Sequence, residues 1–232
     1  MANEPFNAFF DTVRDADHAL LTAINFPASD AYSSFWVAYT DKFTWMPLAV
    51  VAVWCLLRHN TWRGALLMVL SLALLFLLSD FVIASTLKPW VARLRPSHDA
   101  SIMDMLTYVN GYRGGRYGFP SNHASNGFAV TMFLALLYRR PWVTACTLMW
   151  ACGSCYSRMF LGVHFPTDIL AGAVLGCLIA VLVYRIYNYM YARMALRHPM
   201  PPHRELYDAE PWPVIIIFFL TLILLLVTTL LL

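Results

Sequence analysis

Apolar residues occur in six long runs separated by short polar stretches, and this pattern sets the expected architecture. Each run is close to the ~20 residues that an α-helix needs to cross the hydrocarbon core of a bilayer. Inside that core a chain must satisfy its own backbone hydrogen bonds, so each run is predicted to be a helix. The predicted spans are residues 43–57, 64–87, 119–138, 142–160, 166–187 and 214–232.

The N-terminal region follows a different pattern, because aromatic and aliphatic residues interleave with charged ones over residues 5–24. That spacing predicts an amphipathic helix lying along the membrane interface. We therefore expect two parts, an N-terminal interfacial segment at 1–42 and a membrane domain at 43–232. The predicted fold class is all-α: a polytopic membrane bundle of six transmembrane helices with an N-terminal interfacial amphipathic helix.

Composition supports a membrane protein and argues against other classes. The chain is 60% hydrophobic and 12% charged, whereas a typical soluble domain carries about 25% charged residues. The net charge is only +3, and no basic run extends beyond Arg139-Arg140, which argues against nucleic-acid binding. The bilayer is therefore the expected partner, and neither nucleic acid nor an obligate protein partner is indicated.

Three polar groups interrupt the apolar pattern, and a six-span topology places all of them on one face of the membrane. In chain order they are Lys88 with Arg95, then Ser121, Asn122 and His123, then Ser157, Arg158, His164 and Asp168. Ionisable side chains at membrane depth are costly and suggest a functional site. The alternative is structural, since Lys and Arg at helix ends often extend to the interface and loops between helices carry polar caps.

The group at Ser121, Asn122 and His123, together with nearby cationic side chains, suits an anion such as phosphate. Pro120 is favourable at the first position of a helix, which would place Ser121 and His123 in the first turn of the third span. The free N–H groups and positive dipole at a helix start favour phosphate. Cationic side chains could bind its oxygens, the arginines with two contacts each. The three candidates are Lys88, Arg95 and Arg158.

The third group suits nucleophilic catalysis. His164 precedes Pro166, where the fifth span should begin, and Asp168 falls in the first turn of that helix. A carboxylate there can bond one imidazole nitrogen and leave the other free to attack. His123 could then protonate the leaving oxygen. No cluster of Asp, Glu and His has the spacing of a metal site, so neither a metal nor another cofactor is predicted.

These three groups resemble the signature of the type 2 phosphatidic acid phosphatase superfamily, K-x6-R-P, P-S-G-H and S-R-x5-H-x3-D. The first and third parts match in full, and the second matches except that Asn122 replaces glycine. The resemblance implies a membrane enzyme that hydrolyses phosphate esters without a metal ion. It extends to the six-helix pattern over residues 43–232.

The resemblance also implies a role for each matching residue. His164 corresponds to the nucleophile that forms a phosphohistidine, Asp168 to the aspartate that orients it, and His123 to the general acid. The remaining positions would bind the phosphate: Lys88, Arg95, Ser121, Asn122 and Arg158. Because Asn122 departs from the signature, only its local contact is in question.

The signature does not select a substrate, because it contacts the phosphate that all substrates of this family share. Undecaprenyl diphosphate is our first expectation, with phosphatidylglycerol phosphate, phosphatidate and lipid A as alternatives. The polar loop at 88–118 should discriminate between them, or it is an ordinary basic interfacial loop. Its candidate contacts are Tyr112, Arg113, Arg116 and Tyr117. A non-enzymatic lipid-binding or transport protein is the alternative of another class, although both histidines and the aspartate are retained.

The distribution of arginines predicts the orientation. Once the arginines and the lysine with a chemical role are discounted, the face opposite the site carries more positive charge, which makes it cytoplasmic. The residues counted there are Arg58, Arg63, Arg139, Arg140, Arg185, Arg193, Arg197 and Arg204. We therefore expect an integral protein of the bacterial inner membrane with its site facing the periplasm or exterior. Asp80, inside the second span, either supports the phosphate site or bonds a neighbouring helix.

Overall fold

The computed structural model describes residues 4–198 and 212–231, and in these ranges every regular element is helical. Nine α-helices occur there: α1 Glu4–Ile24, α2 Asp30–Tyr39, α3 Met46–His59, α4 Trp62–Ser79, α5 Lys88–Val91, α6 Asn122–Tyr138, α7 Pro141–Phe160, α8 Pro166–Ala195 and α9 Trp212–Leu230. The prediction for Arg204 falls in 199–211, outside the described residues.

A helix covers each of the six apolar runs, but they differ in length and hydropathy. Three are long and apolar enough to cross a membrane: the continuous helix Trp62–Val91, α8 and α9. The apolar part of α3, Met46–Cys55, is shorter. Both α6 and α7 carry polar residues at one end, where the sequence motifs lie. The number of spans therefore stays a prediction.

Two helices extend further than the sequence pattern predicts. A π-helical segment, Asp80–Leu87, joins α4 to α5, so Lys88 lies on the helix rather than in the loop after it. The helix ends where Ala92 adopts a left-handed conformation with φ of 51°. The second is α8, which was predicted to end at residue 187 and continues to Ala195. Tyr187 and Tyr191 are polar at their tips, but their rings pack into the core and extend the helix.

The core lies where α6 and α8 pack against each other and against α4. Its buried side chains include Met68 and Leu75 from α4, Phe133 and Leu137 from α6, and Val183 and Tyr187 from α8. The rings of Phe133 and Tyr187 meet edge to face, with centroids 5.9 Å apart. Because lipid is as apolar as these side chains, close packing rather than exclusion of water stabilises the contact.

Two glycines bring the backbones of α8 and α6 together near their first residues. A Cβ atom on Gly172 would overlap the carbonyl oxygen of Ser121, and one on Gly176 would overlap that of Ser125. Glycines four residues apart are typical of helices that approach closely in membranes. The starts of α6 and α8, which carry two of the three motifs, are therefore held side by side.

One face of α1 packs onto the rest of the protein. Leu21 is fully buried in a small core with Ile102 and Leu106 of the long loop. Asn25, just after α1, donates from Nδ2 to the carbonyl oxygen of Phe160 at 2.6 Å, and its Oδ1 accepts from the N–H of Thr107 at 2.7 Å. The N-terminal region thus fastens the long loop to the end of α7. Its interfacial location stays a prediction.

Candidate active site

The start of α8 brings His164 and Asp168 together. Pro166 is the first helical residue, as the sequence predicts, so Asp168 faces back along the chain from the first turn. Its Oδ2 accepts hydrogen bonds from the N–H of Phe165 at 3.0 Å and from Nδ1 of His164 at 3.3 Å. Exposure is 1% for His164 and 0% for Asp168, so water does not compete for either contact.

The surroundings of His164 favour its neutral form. Burial holds the pKa of His164 well below its usual range, and the positive charges of Arg95 and Lys88 lower it further. The imidazole is therefore neutral at neutral pH. An ionised carboxylate only accepts hydrogen bonds, so the contact with Asp168 favours the tautomer with its hydrogen on Nδ1 and a lone pair on Nε2. A neutral ring with a free nitrogen is the state that a nucleophilic histidine needs.

The start of α6 differs by two residues from the prediction. Pro120 is not the first helical residue, which is Asn122; Ser121 caps the helix and its side chain accepts from the N–H of Ala124 at 3.4 Å. A serine hydroxyl can satisfy a free N–H of the first turn, which proline cannot. The N–H of Ser121 also donates to the carbonyl oxygen of Asp168 at 3.0 Å, which joins the two helix starts.

Three cationic side chains surround the two histidines. The charges of Lys88, Arg95 and Arg158 each act on both His123 and His164, so the five groups share one pocket. His123 itself is exposed. Three positive charges gathered beside two histidines are the arrangement expected of a site for a phosphate group.

The two arginines of this pocket are held in different ways. Arg95 donates from Nε to the carbonyl oxygen of Tyr117 at 3.1 Å and from Nη1 to that of Val163 at 3.4 Å. Arg158 is buried at the end of α7, and its Nε has no hydrogen-bond partner. A buried donor of this kind is rare and calls for a partner. An oxygen of a bound anion would provide one.

Asn122, which departs from the family signature, bonds a neighbouring helix. Its Nδ2 donates to Oδ1 of Asp80 at 2.8 Å. This contact is the structural role that we considered for Asp80, although the Asp80 charge also acts on Lys88. The amide N–H of Asn122 is thus engaged by Asp80, and phosphate binding by Asn122 stays a prediction.

Sequence reasoning missed Arg93, whose Nη1 donates to Oδ1 of Asp168 at 3.0 Å. The sequence contained a signal for this role, because Arg93 lies two residues before Arg95 in an extended segment. Alternate residues of such a segment share a side.

Ser157 has a structural contact, since its hydroxyl donates to the carbonyl oxygen of Trp36 at 2.8 Å. In the described part of the chain, no group of three or more His, Cys, Asp or Glu side chains could hold a metal ion.

Comparison with known proteins places this site in a family. The model of the PAP2 superfamily matches residues 64–192, which include all three motifs. The chain belongs to the PAP2 superfamily, as its motifs predict. Its apolar helices and its family identify it as an integral membrane protein and a lipid phosphatase.

Similar proteins differ in the substrate that their names give. A lipid A 4'-phosphatase of Bacteroides thetaiotaomicron is 38% identical over 81% of this chain and 84% of its own length. Another, of Porphyromonas gingivalis, is 30% identical over 78% of this chain and 77% of its own. An undecaprenyl-diphosphatase of Sulfolobus acidocaldarius is 29% identical over 64% and 66%.

A solved structure also resembles this chain. The transmembrane PAP2-type phosphatidylglycerolphosphate phosphatase of Bacillus subtilis has a TM-score of 0.58 and 25% identity. The similarity covers 77% of this chain and 87% of that one. The helical membrane phosphatase fold is therefore shared.

Proposed function

We propose that the protein hydrolyses a phosphate monoester on the sugar head group of a lipid A-type glycolipid. The reaction would proceed through a phosphohistidine on His164. The observation that carries the proposal is the buried His164–Asp168 pair, which faces His123 across a pocket with three cationic side chains. This arrangement contains a nucleophile, a carboxylate that orients it, a proton donor and groups that bind phosphate.

In the first step, the Nε2 lone pair of His164 attacks phosphorus. A P–N bond forms as the P–O bond to the lipid breaks, and His123 as imidazolium gives its proton to the departing oxygen. The attacking imidazole of His164 gains positive charge, which the Asp168 carboxylate stabilises through Nδ1–H. Lys88, Arg95 and Arg158 stabilise the charge on the phosphoryl oxygens.

In the second step, water attacks the phosphorus of the phosphohistidine. His123 now accepts the proton of the water, the P–N bond breaks, and its electrons return to Nε2 of His164. Inorganic phosphate leaves, and the pocket is restored. A phosphate group brings about −1.5 to −2 charge, which offsets the three cations and favours the protonated state of His123 that the first step requires.

The choice of substrate rests on the relatives. Lipid A phosphatases give the higher identity and coverage, so we place lipid A before undecaprenyl diphosphate, which was the first expectation from the sequence. The long loop supports a phosphorylated sugar, because its exposed Arg113 and Arg116 lie 4.5 Å and 5.6 Å over the rings of Tyr108 and Tyr117. Such pairs could bind a sugar ring and a second anionic group together.

A substrate panel tests this proposal. Phosphate release by purified protein in detergent should be fastest from lipid A, slower from undecaprenyl diphosphate and phosphatidylglycerol phosphate, and minimal from glucose 6-phosphate. Activity should persist in EDTA. Release only from undecaprenyl diphosphate would overturn the proposed substrate. Activity that is abolished by EDTA and restored by Mg²⁺ or Zn²⁺ would overturn the proposed mechanism. No release from any lipid would favour a binding or transport protein.

We also propose that the site faces the periplasm or exterior of a bacterial inner membrane. Support comes from the helix directions, because the site lies where α5 and α7 end and where α6 and α8 begin. Seven of the counted arginines lie in the described residues and near the other ends of their helices: Arg58, Arg63, Arg139, Arg140, Arg185, Arg193 and Arg197. Positive charge near span ends favours the cytoplasmic side.

Cysteine labelling tests the orientation. In a background without native cysteines, Gly115→Cys should react with an impermeant maleimide on intact cells, and His198→Cys only after permeabilisation. Gly115 is suitable because an added Cβ meets nothing within 4 Å, whereas one on Gly114 would lie 2.6 Å from Nη1 of Arg95. The reverse labelling pattern would place the site in the cytoplasm.

A further inference from the structure

We propose that Asp17 of α1, together with Arg93 and Thr167, positions the His164–Asp168 pair for the reaction. The proposal rests on the function given above, which makes His164 the nucleophile. The model of the PAP2 superfamily matches residues 64–192, so Asp17 lies outside the matched region. The catalytic machinery would thus include a side chain from the N-terminal helix.

Asp17 is a buried carboxylate whose two oxygens are both bonded. It is 1% exposed. Its Oδ1 accepts the N–H of Thr167 at 2.9 Å, while its Oδ2 accepts from Nη2 of Arg93 at 2.6 Å and from the hydroxyl of Thr167. Buried charged groups in proteins are paired and hydrogen-bonded in this way. The contact also fastens α1 to the first turn of α8.

Arg93 links this carboxylate to the one beside the nucleophile. Its Nη2 binds Asp17, and its Nη1 donates to Oδ1 of Asp168 at 3.0 Å and to the hydroxyl of Thr167 at 2.6 Å. The guanidinium also lies 4.3 Å over the ring of Phe165. Arg93 is thus fixed by contacts on two edges and one face, and its planar geometry suits bidentate pairing.

The contacts divide the two oxygens of Asp168 between different tasks. Its Oδ1 binds Arg93, while its Oδ2 binds the N–H of Phe165 and Nδ1 of His164. Arg93 therefore sets the rotation of the carboxylate that presents Oδ2 to the imidazole. It does not contact the free Nε2 of His164, so its effect on the reaction passes through Asp168.

The negative charge of Asp17 matters because Arg93 is shared. With both carboxylates present, one guanidinium balances two negative charges, and Asp168 keeps enough charge to stabilise the positive ring of His164. Without the charge of Asp17, Arg93 would pair with Asp168 alone and would lose a fixed partner on its other side. Partners that orient the histidine ligands of metal sites typically change affinity or activity by about 10–100-fold, and we expect a similar factor here.

Asp17→Asn tests the proposal, with Asp15→Asn on the same helix as the matched control, because the Asp15 side chain is 74% exposed. Lipid phosphate release should show kcat reduced by about 10–100-fold, with KM changed by less than about twofold because Asp17 touches no substrate. Asp15→Asn should match the unmodified protein in both constants. A wild-type kcat in folded Asp17→Asn would overturn the proposal, as would an effect confined to KM.

Thr167 offers a milder test in case Asp17→Asn does not fold. Thr167→Val removes the hydroxyl that joins Asp17 to Arg93 and keeps the backbone N–H and the side-chain volume, while Thr167→Ser keeps the hydroxyl. We expect kcat to fall in Thr167→Val by a smaller factor than in Asp17→Asn, and to recover in Thr167→Ser. Equal kcat values for Thr167→Val and Thr167→Ser would contradict the proposal.

A spectroscopic measurement separates this inference from the proposed function. In protein labelled with ¹⁵N-histidine, the signals missing from His164→Gln identify the ring of His164. Its Nδ1 should carry the hydrogen in the unmodified protein and in Asp15→Asn, and Asp17→Asn should show a mixture of tautomers. An unchanged tautomer would overturn the inference. Absence of phosphate release from every lipid would instead overturn the proposed function, whatever the tautomer result.

Discussion

The starts of α8 and α6 contribute the two histidines of the site, and they are built in opposite ways. At α8, His164 and Asp168 are buried, and both oxygens of the carboxylate are bonded. At α6, His123 is exposed, and Oδ1 of Asn122 is buried without a hydrogen-bond partner. The start of α8 therefore holds its histidine buried beside a fully bonded carboxylate, while the start of α6 carries an exposed histidine.

This difference agrees with the two proposed roles. A nucleophilic histidine must be neutral and oriented before the substrate arrives, so a closed environment with fixed partners is favourable. A general acid must meet an oxygen that arrives with the substrate, and it must gain and lose a proton in each turnover. An exposed ring can meet that oxygen, and the negative charge of the bound phosphate favours its protonation. The following changes test this contrast, beginning with the largest expected effect.

His164→Gln should remove nearly all activity, by on the order of 10⁵–10⁶-fold, because the other groups cannot supply a nucleophile. The measurement is phosphate release together with trapping of an acid-labile phosphoenzyme from ³²P-labelled substrate. Tryptophan fluorescence in detergent should show that the variant is folded. A phosphoenzyme that still forms in His164→Gln would assign the nucleophile to another residue.

His123→Ala should reduce hydrolysis of a lipid phosphate by about 10²–10⁴-fold, because the departing alkoxide must leave without a proton. An aryl phosphate has a better leaving group and should lose much less activity. The comparison of kcat for both substrates in the same preparation checks this expectation. Equal losses would show that the exposed histidine has another role, such as binding phosphate.

Gly176→Ala should loosen the contact that holds the two helix starts together. The added methyl group would overlap the carbonyl oxygen of Ser125, and overpacking of this kind typically costs about 1–3 kcal/mol. The melting temperature in detergent should fall, and activity with it. Gly115→Ala is the matched control, since its Cβ meets nothing within 4 Å; an equal decrease in both variants would refute a specific backbone contact.

Asn122→Gly, which restores the residue of the family signature, should have the smallest effect. It removes the hydrogen bond to Asp80, and one such bond contributes about 0.5–1.5 kcal/mol. Turnover should change by no more than several-fold, and Asp80→Ala should give a similar change. If Asn122→Gly lowers activity a hundredfold while Asp80→Ala does not, the side chain of Asn122 binds the phosphate directly.

Local pattern predicted the parts of this molecule that depend on neighbours in the chain. The apolar runs indicated where helices form, and His164 and Asp168, four residues apart, were expected at one helix start. Such features follow from helix periodicity and from the preference of proline for the first turn. Even the error at Pro120 was a shift of only two residues.

Contacts between segments that are distant in the chain could not be predicted from local pattern. Asp17 and Arg93 are 76 residues apart, and α1 was assigned to the interface because its charged residues alternate with apolar ones. Nothing in that alternation distinguishes a buried aspartate from the solvated ones at 11 and 15. Asp80 and Asn122 likewise pair across 42 residues, a contact that depends on where α4 passes α6.

The contact of Gly172 and Gly176 with α6 has a mechanical consequence. Since no side chain separates the two backbones there, a bilayer that grows thicker or thinner must tilt both helices as one body. Bilayer mismatch is usually accommodated by tilt of this kind. The separation of the two histidines should then be independent of lipid chain length, and we expect constant turnover in vesicles made from short or long acyl chains.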